Sequence, residues 1–596
     1  MAILSTTHIH INGNELPYYN SCSLHQEIGQ HHTMDLHCLL ETIQRFCKDN
    51  SQEIEDLLGS IITIETKSYA DIDFHGMLKF KGIITGLSYR KGMYSSEGDY
   101  VIIKAKSPTI IADDGPHYTS YNDMSFVDII EQNFSNYDTS KLKINTSNSK
   151  LSEPLTYTVQ SNESCFSFAQ RMAARHGEWL YYNGEELVFG IESGGEELDL
   201  ILGRDLQDFN TSLTPIPQNF DYYANDYLTN DVHETSSSST ASSSEGNFSV
   251  VNDNSNEIYT NPTKIWVNLS DDSNSKNRLD NYAELQQKAL QTNQVKVSGS
   301  SDNPGVMLAS VIKINQSSYR VTKVTHSYSN NGEYENFFEA NSTNIDAYPL
   351  TDLNAFPVAK SQMAKVIENH DPDGLGRVKV QLPWQKADGL TTPWIRNISP
   401  SASSGQGLFF IPEVDDEVLV DFEGANAEAP FVLGSTYNSD AKPPGGSANE
   451  SNHIKMFQSR SGSFLKLNDE DGSITLQDKS GSSIVLDGSG NITITAGETL
   501  TVTAGKEMKT TSAEDTTIIS GKKATISSED TATLVSSKDT VVEGTTGVTV
   551  KDGVKVDISA PNVTAKGDIG LKMEGTTVDI KGTAMTNVKG AIVNLN

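Results

Sequence analysis

The apolar positions in the first third of the chain follow two different periods. From Leu36 to Cys47 they recur three and four residues apart, which predicts an amphipathic helix. From Ile62 to Ile64 and from Leu78 to Ile84 they alternate with other residues, which predicts strands with one buried face. This mixture indicates an α+β fold for the amino-terminal part.

Two more helices are predicted downstream by the same spacing. Apolar residues recur from Phe126 to Phe134, behind Asp123 as a candidate N-cap, and again from Phe166 to Ala173. Gly177 fits the left-handed position that follows a last helical turn. We interpret both stripes as core-facing sides of helices and not as cofactor sites.

Changes in composition divide the rest of the chain. Residues 235–246 are almost entirely Ser and Thr, which predicts a flexible loop inside a base domain over 1–350. Linkers are predicted at 351–362 and 441–462, where Pro, Gly, Asn and Asp accumulate. Between them, 363–440 carries short strands separated by turns, with one of the strands predicted at 394–398. This is the pattern of a small barrel of the oligonucleotide/oligosaccharide-binding (OB) type.

The last stretch, 463–596, differs from the rest in composition. It consists mainly of Thr, Ser, Val, Ile, Gly, Ala, Lys and Asp, and Phe464 is its last aromatic residue. Its segments repeat one thin apolar face each, which a single chain can hardly bury, so we expect a solenoid or an intertwined β-helix of several copies. The predicted strands include Ser473–Leu476, Ser483–Leu486, Asn491–Thr495, Thr499–Thr503, Val548–Val550, Val554–Ile558 and Thr577–Ile580.

Charge and cysteine content narrow the class of protein. The 596 residues include 45 Lys and Arg against 78 Asp and Glu, a formal net charge of -33. A nucleic-acid binder needs a basic face, so this composition disfavours that class. No Lys or Arg precedes Arg45 and no apolar run is long enough to span a bilayer, so we expect a protein made in the cytoplasm without a signal peptide. The four cysteines have no paired spacing and are expected in the core.

Several motifs resemble those of one known family. Met172 and Gly177–Trp179 belong to a segment similar to the pattern Q-x-x-E-x-x-x-x-F-x-x-R-L-x-x-x-x-G-i, with Met in place of Leu. The other matching residues of that segment are Gln160, Glu163, Phe168 and Arg171. Asp373–Val380 resembles the pattern D-x-x-G-R-V-k-V, although Asp415–Asp416 stands further on where the family has Gly. These matches identify the chain as resembling the VgrG family, the spike of the type VI secretion system.

The resemblance covers nearly the whole chain, and the small barrel strengthens it. The following barrel residues match the family's motifs, and we assign them structural roles: Gly376, Arg377, Val378, Trp394, Pro412, Glu417, Gly434, Tyr437 and Asn438. The resemblance implies a mainly β homotrimer with a two-barrel, phage-hub-like base, the OB-type barrel, and a carboxy-terminal triple-stranded intertwined β-helix over 463–596.

The resemblance also implies partners. The base would dock on the Hcp tube ring and on baseplate components, and a PAAR-repeat protein would cover the tip. Contraction of a sheath would drive the needle and its effector proteins through a target membrane and out of the cell. We expect the tip partner at the chain's last residues, Ile592, Val593, Asn594, Leu595 and Asn596.

Metal binding is the first chemistry that the residues suggest. Six histidines lie in the first 37 residues, and His32, His37 and Cys38 come nearest to a ligand set, but no H-E-x-x-H or Cys-x-x-Cys motif supports it. Asp371–Gly374 resembles the start of a calcium loop, yet Leu382 stands where a bidentate Glu is needed. We expect no metal site and no cofactor.

Acid–base catalysis is the second chemistry that the residues suggest. Carboxylate pairs occur at Glu185–Glu186, Glu196–Glu197 and Asp415–Asp416, and glycoside hydrolysis needs such a pair at a set separation. All three lie in turn-like polar stretches of a very acidic chain, which favours solvated surface. No nucleophile elbow or phosphate-binding loop is present. We therefore expect no catalytic residue.

Two other functions remain open. One is the equivalent spike or hub of a phage tail or an extracellular contractile injection particle. The other is a β-helical polysaccharide-acting enzyme or adhesin, which would expose aromatic side chains on the solenoid. The absence of aromatic residues after Phe464 disfavours the second.

Overall fold

The structure is a computed structural model that describes residues 5–68, 76–92, 98–192, 197–237, 246–269, 274–329 and 331–595. The chain divides into two compact units, Met1–Thr495 and Ala496–Asn596. Strands make up 35% of the chain and helices 14%, so the predicted mainly β fold is confirmed. Most of the Ser-rich loop predicted at 235–246 lies outside the described residues.

The first unit combines long strands with a few helices. The helices of its described part are α1 (Leu40–Asp49), α2 (Phe126–Phe134), α3 (Cys165–His176), α4 (Asn247–Ile258) and α5 (Ser275–Thr292). The strands up to residue 342 are β1 (Ser5–Ile11), β2 (Asn14–Glu15), β3 (Ser21–Glu27), β4 (Thr33–Leu39), β5 (Ile61–Ser68), β6 (Leu78–Arg90), β7 (Tyr100–Lys106), β8 (His117–Met124), β9 (Lys143–Asn148), β10 (Leu155–Glu163), β11 (Leu180–Tyr182), β12 (Glu186–Gly190), β13 (Glu197–Asp199), β14 (Leu206–Leu213), β15 (Phe220–Asp226), β16 (Asp231–Ser236), β17 (Thr263–Trp266), β18 (Val295–Ser301), β19 (Val311–Ile314), β20 (Ser317–Ser329) and β21 (Tyr334–Ser342).

Thirteen of these strands form one sheet, in the order β14-β18-β21-β20-β3-β4-β7-β6-β5-β1-β2, with β13 and β19 attached through β20. Its two halves meet at the antiparallel pair of β3 and β20, where Leu24 lies opposite His326. One apolar core lies chiefly among β1–β7 and α1, and another among α2, α3 and the later strands. Main-chain hydrogen bonds therefore join the two halves of the base.

The start of α1 differs from the prediction. Leu36 and Leu39 belong to β4, and the helix begins at Leu40 directly after that strand. Strand and helix follow each other without a loop, and both contribute apolar residues to the same core, so their patterns merge. The prediction was right for Ile43, Phe46 and Cys47, which are the buried residues of the helix.

The ends of α2 and α3 show how the sequence positions these helices. Ser125, not Asp123, is the N-cap of α2, and its hydroxyl accepts a hydrogen bond from the Asp128 amide. Asp123 instead has a φ of +49° in β8, a left-handed conformation that Asp tolerates better than most residues. Gly177 ends α3 at a φ of +64°, as predicted.

A buried chain of side chains crosses the junction of β3 and β20. The Gln26 amide nitrogen lies 3.0 Å from His32 Nδ1, and the Gln26 carbonyl oxygen lies 3.0 Å from His326 Nε2. The Tyr334 hydroxyl lies 2.7 Å from His326 Nδ1. Burial lowers the pKa of both histidines to about 3, so both rings are neutral at physiological pH. His32 then accepts from the Gln26 amide at Nδ1, while His326 donates from Nε2 to the Gln26 carbonyl oxygen and accepts from the Tyr334 hydroxyl at Nδ1.

The segment after the base forms a small β domain. Its strands are β22 (Gln362–Glu368), β23 (Lys379–Gln381), β24 (Ala402–Ser403), β25 (Gln406–Gly407), β26 (Glu417–Phe422) and β27 (Pro430–Ser435). Four of them form a sheet in the order β23-β22-β26-β27. The strand predicted at 394–398 is wrong: only Ile395 and Asn397 make isolated bridges, to Val378 and Val432.

A five-stranded antiparallel sheet ends the first unit. It comprises, in order, β28 (Ile454–Gln458), β29 (Phe464–Asn468), β30 (Ser473–Gln477), β31 (Ser483–Leu486) and β32 (Ile492–Thr495). The last three strands confirm the predictions at those positions. β28 lies inside 441–462, so the linker predicted there is wrong in its last part, because the alternating pattern begins before Phe464.

The second unit has no strand or helix in its described part, Ala496–Leu595, so the strands predicted at 499–503, 548–550, 554–558 and 577–580 are not formed by one chain. Its backbone bends at 497–498 and then at every eighth residue up to 561–562. Every residue from 497 to 595 is exposed. A strand needs a partner for its backbone groups, and the extended octads of one chain do not supply it to one another.

Candidate assembly surfaces

The five-stranded sheet has one strongly apolar face. Its register places Phe457, Leu465, Leu476, Ile484 and Ile494 directly opposite one another, in one column across all five strands. A second column on the same face continues from Lys455 through Leu467, Ile474, Leu486 and Ile492. Side chains two residues apart on a strand share a face, so nine of these ten positions make one apolar surface.

The opposite face of that sheet is mainly polar. One of its columns contains Met456, Lys466, Thr475, Val485 and Thr493. On the apolar face, by contrast, Leu476 is 52% exposed and Ile494 is 56% exposed in a single chain. A sheet that is polar on one side and bare and apolar on the other marks an interaction surface.

The second unit repeats the same chemistry in a different form. We number each octad from its first bend residue, so that 497, 505 and 513 are position 1. Apolar residues concentrate at positions 4 and 6, as in Leu500 with Val502 and Val548 with Val550. These positions lie on one side of an extended segment, so each octad offers a narrow apolar strip with no cover from its own chain.

Arg377 organises the turn at the start of the barrel motif. Its Nε and Nη2 donate to the two carboxylate oxygens of Asp371 at 2.9 and 2.7 Å, and Nη2 also binds Asp373. This hydrogen bonding holds the pKa of Asp371 well below its usual range. The carboxylates that resembled a calcium loop thus bind an internal cation. Gly376 has a φ of +72°, and a Cβ there would meet Ile411 Cδ1 at 3.2 Å.

The other motif residues build turns and strand ends of the barrel. Glu417 Oε2 accepts a 2.6 Å hydrogen bond from the Asn438 amide group, whose own oxygen accepts from two backbone amides of the next turn. The Pro412 carbonyl accepts from Asn369 at 3.0 Å, and the Trp394 ring carries the Lys379 ammonium 5.0 Å from its centroid.

The last three motif residues behave differently from one another. Val378 is fully buried, Gly434 lies in β27, and Tyr437 is 67% exposed. Asp415, which replaces a family Gly, has a φ of +73°, so the position does require the left-handed conformation that glycine adopts most easily.

A buried ionic cluster ties the barrel to α3. Arg171 Nε binds the Glu163 carboxylate at 2.8 Å, and Glu428 of the barrel lies 3.8 Å from Arg171 Nη1 and 3.7 Å from Arg175 Nη1. The Glu428 side chain is only 6% exposed and also accepts from the Val159 amide. Tyr157 and Val159 of β10 belong to the barrel's apolar core, so base and barrel are packed as one body here.

The histidines and cysteines of the first strands do not converge. His32 is buried against Gln26, and Cys38 is a free cysteine in the core, as are Cys22, Cys47 and Cys165. In the described ranges, no group of three or more His, Cys, Asp or Glu side chains is placed to hold a metal ion.

Two of the candidate carboxylate pairs lie in hydrogen-bonded turns. Asn183 Oδ1 accepts from the amides of Glu185 and Glu186, which makes that pair part of a turn, and Asp416 accepts from the Glu413 amide. Glu196 lies outside the described residues. A cavity of about 350 Å³ beside α5 contains Glu178, but its carboxylate already accepts from two backbone amides and the Ser149 hydroxyl.

The chain's last residues end in the same extended pattern as the octads. Ile592, Val593, Asn594 and Leu595 are exposed, and Asn596 lies outside the described residues. No helix in the described part of the chain has the length and apolarity that a membrane span requires.

A hub-like base joined to an OB barrel, with exposed repeats after it, defines a protein of the phage-tail hub and spike class. The model of the phage tail baseplate hub (GPD) family matches residues 25–332, more than half of the 596 residues, and that of the type VI secretion system/phage-baseplate injector OB domain matches 362–437. The chain therefore belongs to the phage tail baseplate hub family.

Curated relatives confirm the resemblance to VgrG proteins. The type VI secretion system spike proteins VgrG2a and VgrG2b of Pseudomonas aeruginosa are each 39% identical over 75 residues, 12% of this chain. The match spans only 9% and 7% of their lengths. The actin cross-linking toxin VgrG1 of Vibrio cholerae is 32% identical over 75 residues, 12% of this chain and 7% of its own.

Solved structures confirm the fold over a longer range. The half-lidded PdpA–VgrG complex of Francisella contains a chain that covers 82% of this one and 88% of itself, with a TM-score of 0.51 and 10% identity. The lidless complex gives a TM-score of 0.50 and 9% identity, over 83% of this chain and 98% of that one. At this identity the likeness concerns the fold.

Proposed function

We propose that the chain is the structural spike of a type VI secretion system, acting as a homotrimer whose role is mechanical and not catalytic. The observation that carries the proposal is the apolar face of β28–β32 with the exposed octads after it. In a single chain these apolar surfaces are exposed to solvent. Other copies of the same sequence offer matching apolar surfaces that could cover them. Membership of the hub family and the similarity to VgrG spike proteins support the same role.

Burial provides the driving force for trimer formation. Fully burying a Leu, Ile, Val or Phe side chain is worth about 1.5–3 kcal/mol. The apolar face and the octad strips bring many such residues from each chain, while neighbouring chains supply strand partners for the backbone of 497–595. A needle of interlocked strands resists bending and needs no catalytic group, because contraction of a sheath supplies the force.

The proposed spike has three domains: a base at 1–350, a barrel at 363–440 and a needle at 463–596. The base caps the Hcp tube ring and contacts the baseplate. The spike carries effector proteins, punctures the target cell membrane and leaves the producing cell with the needle.

Measurement of the mass of the full chain in solution tests the trimer. We expect light scattering to give three times the 65.0 kDa of one chain, and we expect the trimer to resist SDS at room temperature. A monomer at micromolar concentration would contradict the proposal.

The tip is the place where a PAAR-repeat partner fits the proposal. Three copies of Ile592–Asn596, one from each chain, would offer the partner three identical segments. Deleting the final ten residues is expected to abolish co-purification of a PAAR protein, while the trimer mass stays unchanged. Undiminished co-purification would contradict this role for the tip.

The hub of a phage tail or of an extracellular injection particle is the second candidate. The matched family is named for the baseplate hub of phage tails, and this match to the base favours the second candidate. Sheath and baseplate genes of one or the other type beside this gene would separate the two.

A further inference from the structure

One octad position in the second unit has a regular charge pattern. At position 2, the second residue of each bend, the charge alternates in sign over six successive octads. The residues are Glu498, Lys506, Glu514, Lys522, Asp530 and Lys538. Across these octads no other position is charged every time, and the alternation ends at Thr546 and Val554.

In the described part of the second unit these charges make no ion pair within one chain, and Asp530 accepts only a 3.4 Å hydrogen bond from the neighbouring Thr531 hydroxyl. The ion pairs that the second unit makes in its described part join side chains two residues apart, as in Glu507–Lys509 at 2.8 Å and Lys555–Asp557 at 2.5 Å. None of them includes a position-2 residue. Successive position-2 residues are separated by a whole octad, too far for contact along an extended segment. Any contact between position-2 residues must therefore form between different chains.

Threefold symmetry determines which octads become neighbours. In the trimer proposed above, on which this inference rests, each bend carries a chain from one face of a three-sided stack to the next face. There it lies beside the preceding octad of another chain, which runs in the same direction. Parallel strands lie about 4.8 Å apart and place equivalent positions side by side. Position 2 of one octad then meets position 2 of the next octad from a different chain.

We propose that the position-2 residues of octads 497–544 form columns of alternating charge between chains, and that these columns fix the stagger of the three chains at one octad. Opposite charges then meet at every step, which stabilises adjacent strands. With no stagger, or with a stagger of two octads, like charges meet at every step instead. The apolar positions 4 and 6 are too alike from octad to octad to make this choice.

Charge reversal in the full chain tests the columns. The triple variant Lys506→Glu, Lys522→Glu and Lys538→Glu makes each column wholly acidic. We expect its trimer to dissociate on heating at a temperature lower than wild type by on the order of 10 °C. Salt at about 1 M should recover much of this loss, because the repulsion is screened.

A matched control changes the same number of charges elsewhere. Lys509, Lys555 and Lys572 occupy positions 5, 3 and 5, and their equivalents in adjacent octads are uncharged. Their own ion pairs with Glu507, Asp557 and Glu574 are exposed, and such pairs contribute little. Reversing these three lysines to Glu is expected to lower the dissociation temperature by no more than about 3 °C.

A full swap decides the case even where the triple variant does not assemble. Exchanging the sign at all six positions restores alternation without changing net charge, and it should return the dissociation temperature to near that of wild type. An equal loss in the triple variant and the control, or a swap as unstable as the triple variant, would overturn the columns. A wild-type monomer would overturn the proposed function instead, so the two failures are distinguishable.

Discussion

Replacing Leu476 with Asp is expected to abolish the trimer. Leu476 lies in the middle of the central apolar column, between Leu465 and Ile484. Each copy would lose about 2 kcal/mol of apolar burial and would place a carboxylate in the interface at a cost of several kcal/mol, so three copies lose on the order of 10 kcal/mol or more. Light scattering at micromolar concentration should show the mass of one chain.

The adjacent residue provides the control. Thr475 lies on the same strand but in a column of the polar face, opposite Lys466 and Val485. Thr475→Asp introduces the same charge one residue away and should leave the trimer mass unchanged. Loss of the trimer in both variants would mean that general damage to β30 is responsible, and a trimeric Leu476→Asp would show that this face is not the interface.

Replacing Glu428 with Gln is expected to destabilise the chain by roughly 3–5 kcal/mol, the usual cost of leaving buried charges without their partner. Arg175 is 4% exposed at its side chain, and Glu428 is the carboxylate that faces it. Arg171 would retain Glu163, so Arg175 bears most of the loss. Urea unfolding, followed by tryptophan fluorescence, should show the transition that includes the barrel at lower urea.

A second glutamate in the same part of the barrel gives the comparison. Glu423 pairs with Arg396 at 2.6 Å, but both side chains are about one-third exposed. Glu423→Gln should therefore cost less than about 1 kcal/mol. Equal effects of the two variants would show that burial of the Glu428 cluster contributes nothing to its strength.

The elements that sequence predicts best here are those with a clear end. α3 and its Gly177 cap were predicted because helical spacing and a stop signal coincide. The α1 boundary was not, because β4 runs into the helix without a turn residue. At 394–398 an alternating stretch makes only isolated bridges, since strand formation depends on partners that a local pattern does not specify.

The candidate surfaces were only partly predictable. The apolar face of β30–β32 follows from alternation, but its columns require the register of neighbouring strands. The contact of Glu428 with Arg171 and Arg175 joins residues more than 250 positions apart, and no local pattern points to it. The octads could have been found from the Gly residues at 497, 505 and 521, which recur in multiples of eight.

The pairing of β3 with β20 has a consequence for synthesis. Gln26 meets His326 only after both have left the ribosome, and 300 positions separate them. At 5–20 residues per second, β3 waits for roughly 15–60 s with one edge unpaired. The base therefore closes late during translation, and its amino-terminal strands are exposed to misassociation until then. A pulse of protease during synthesis should cut this region readily before residue 329 emerges and poorly afterwards.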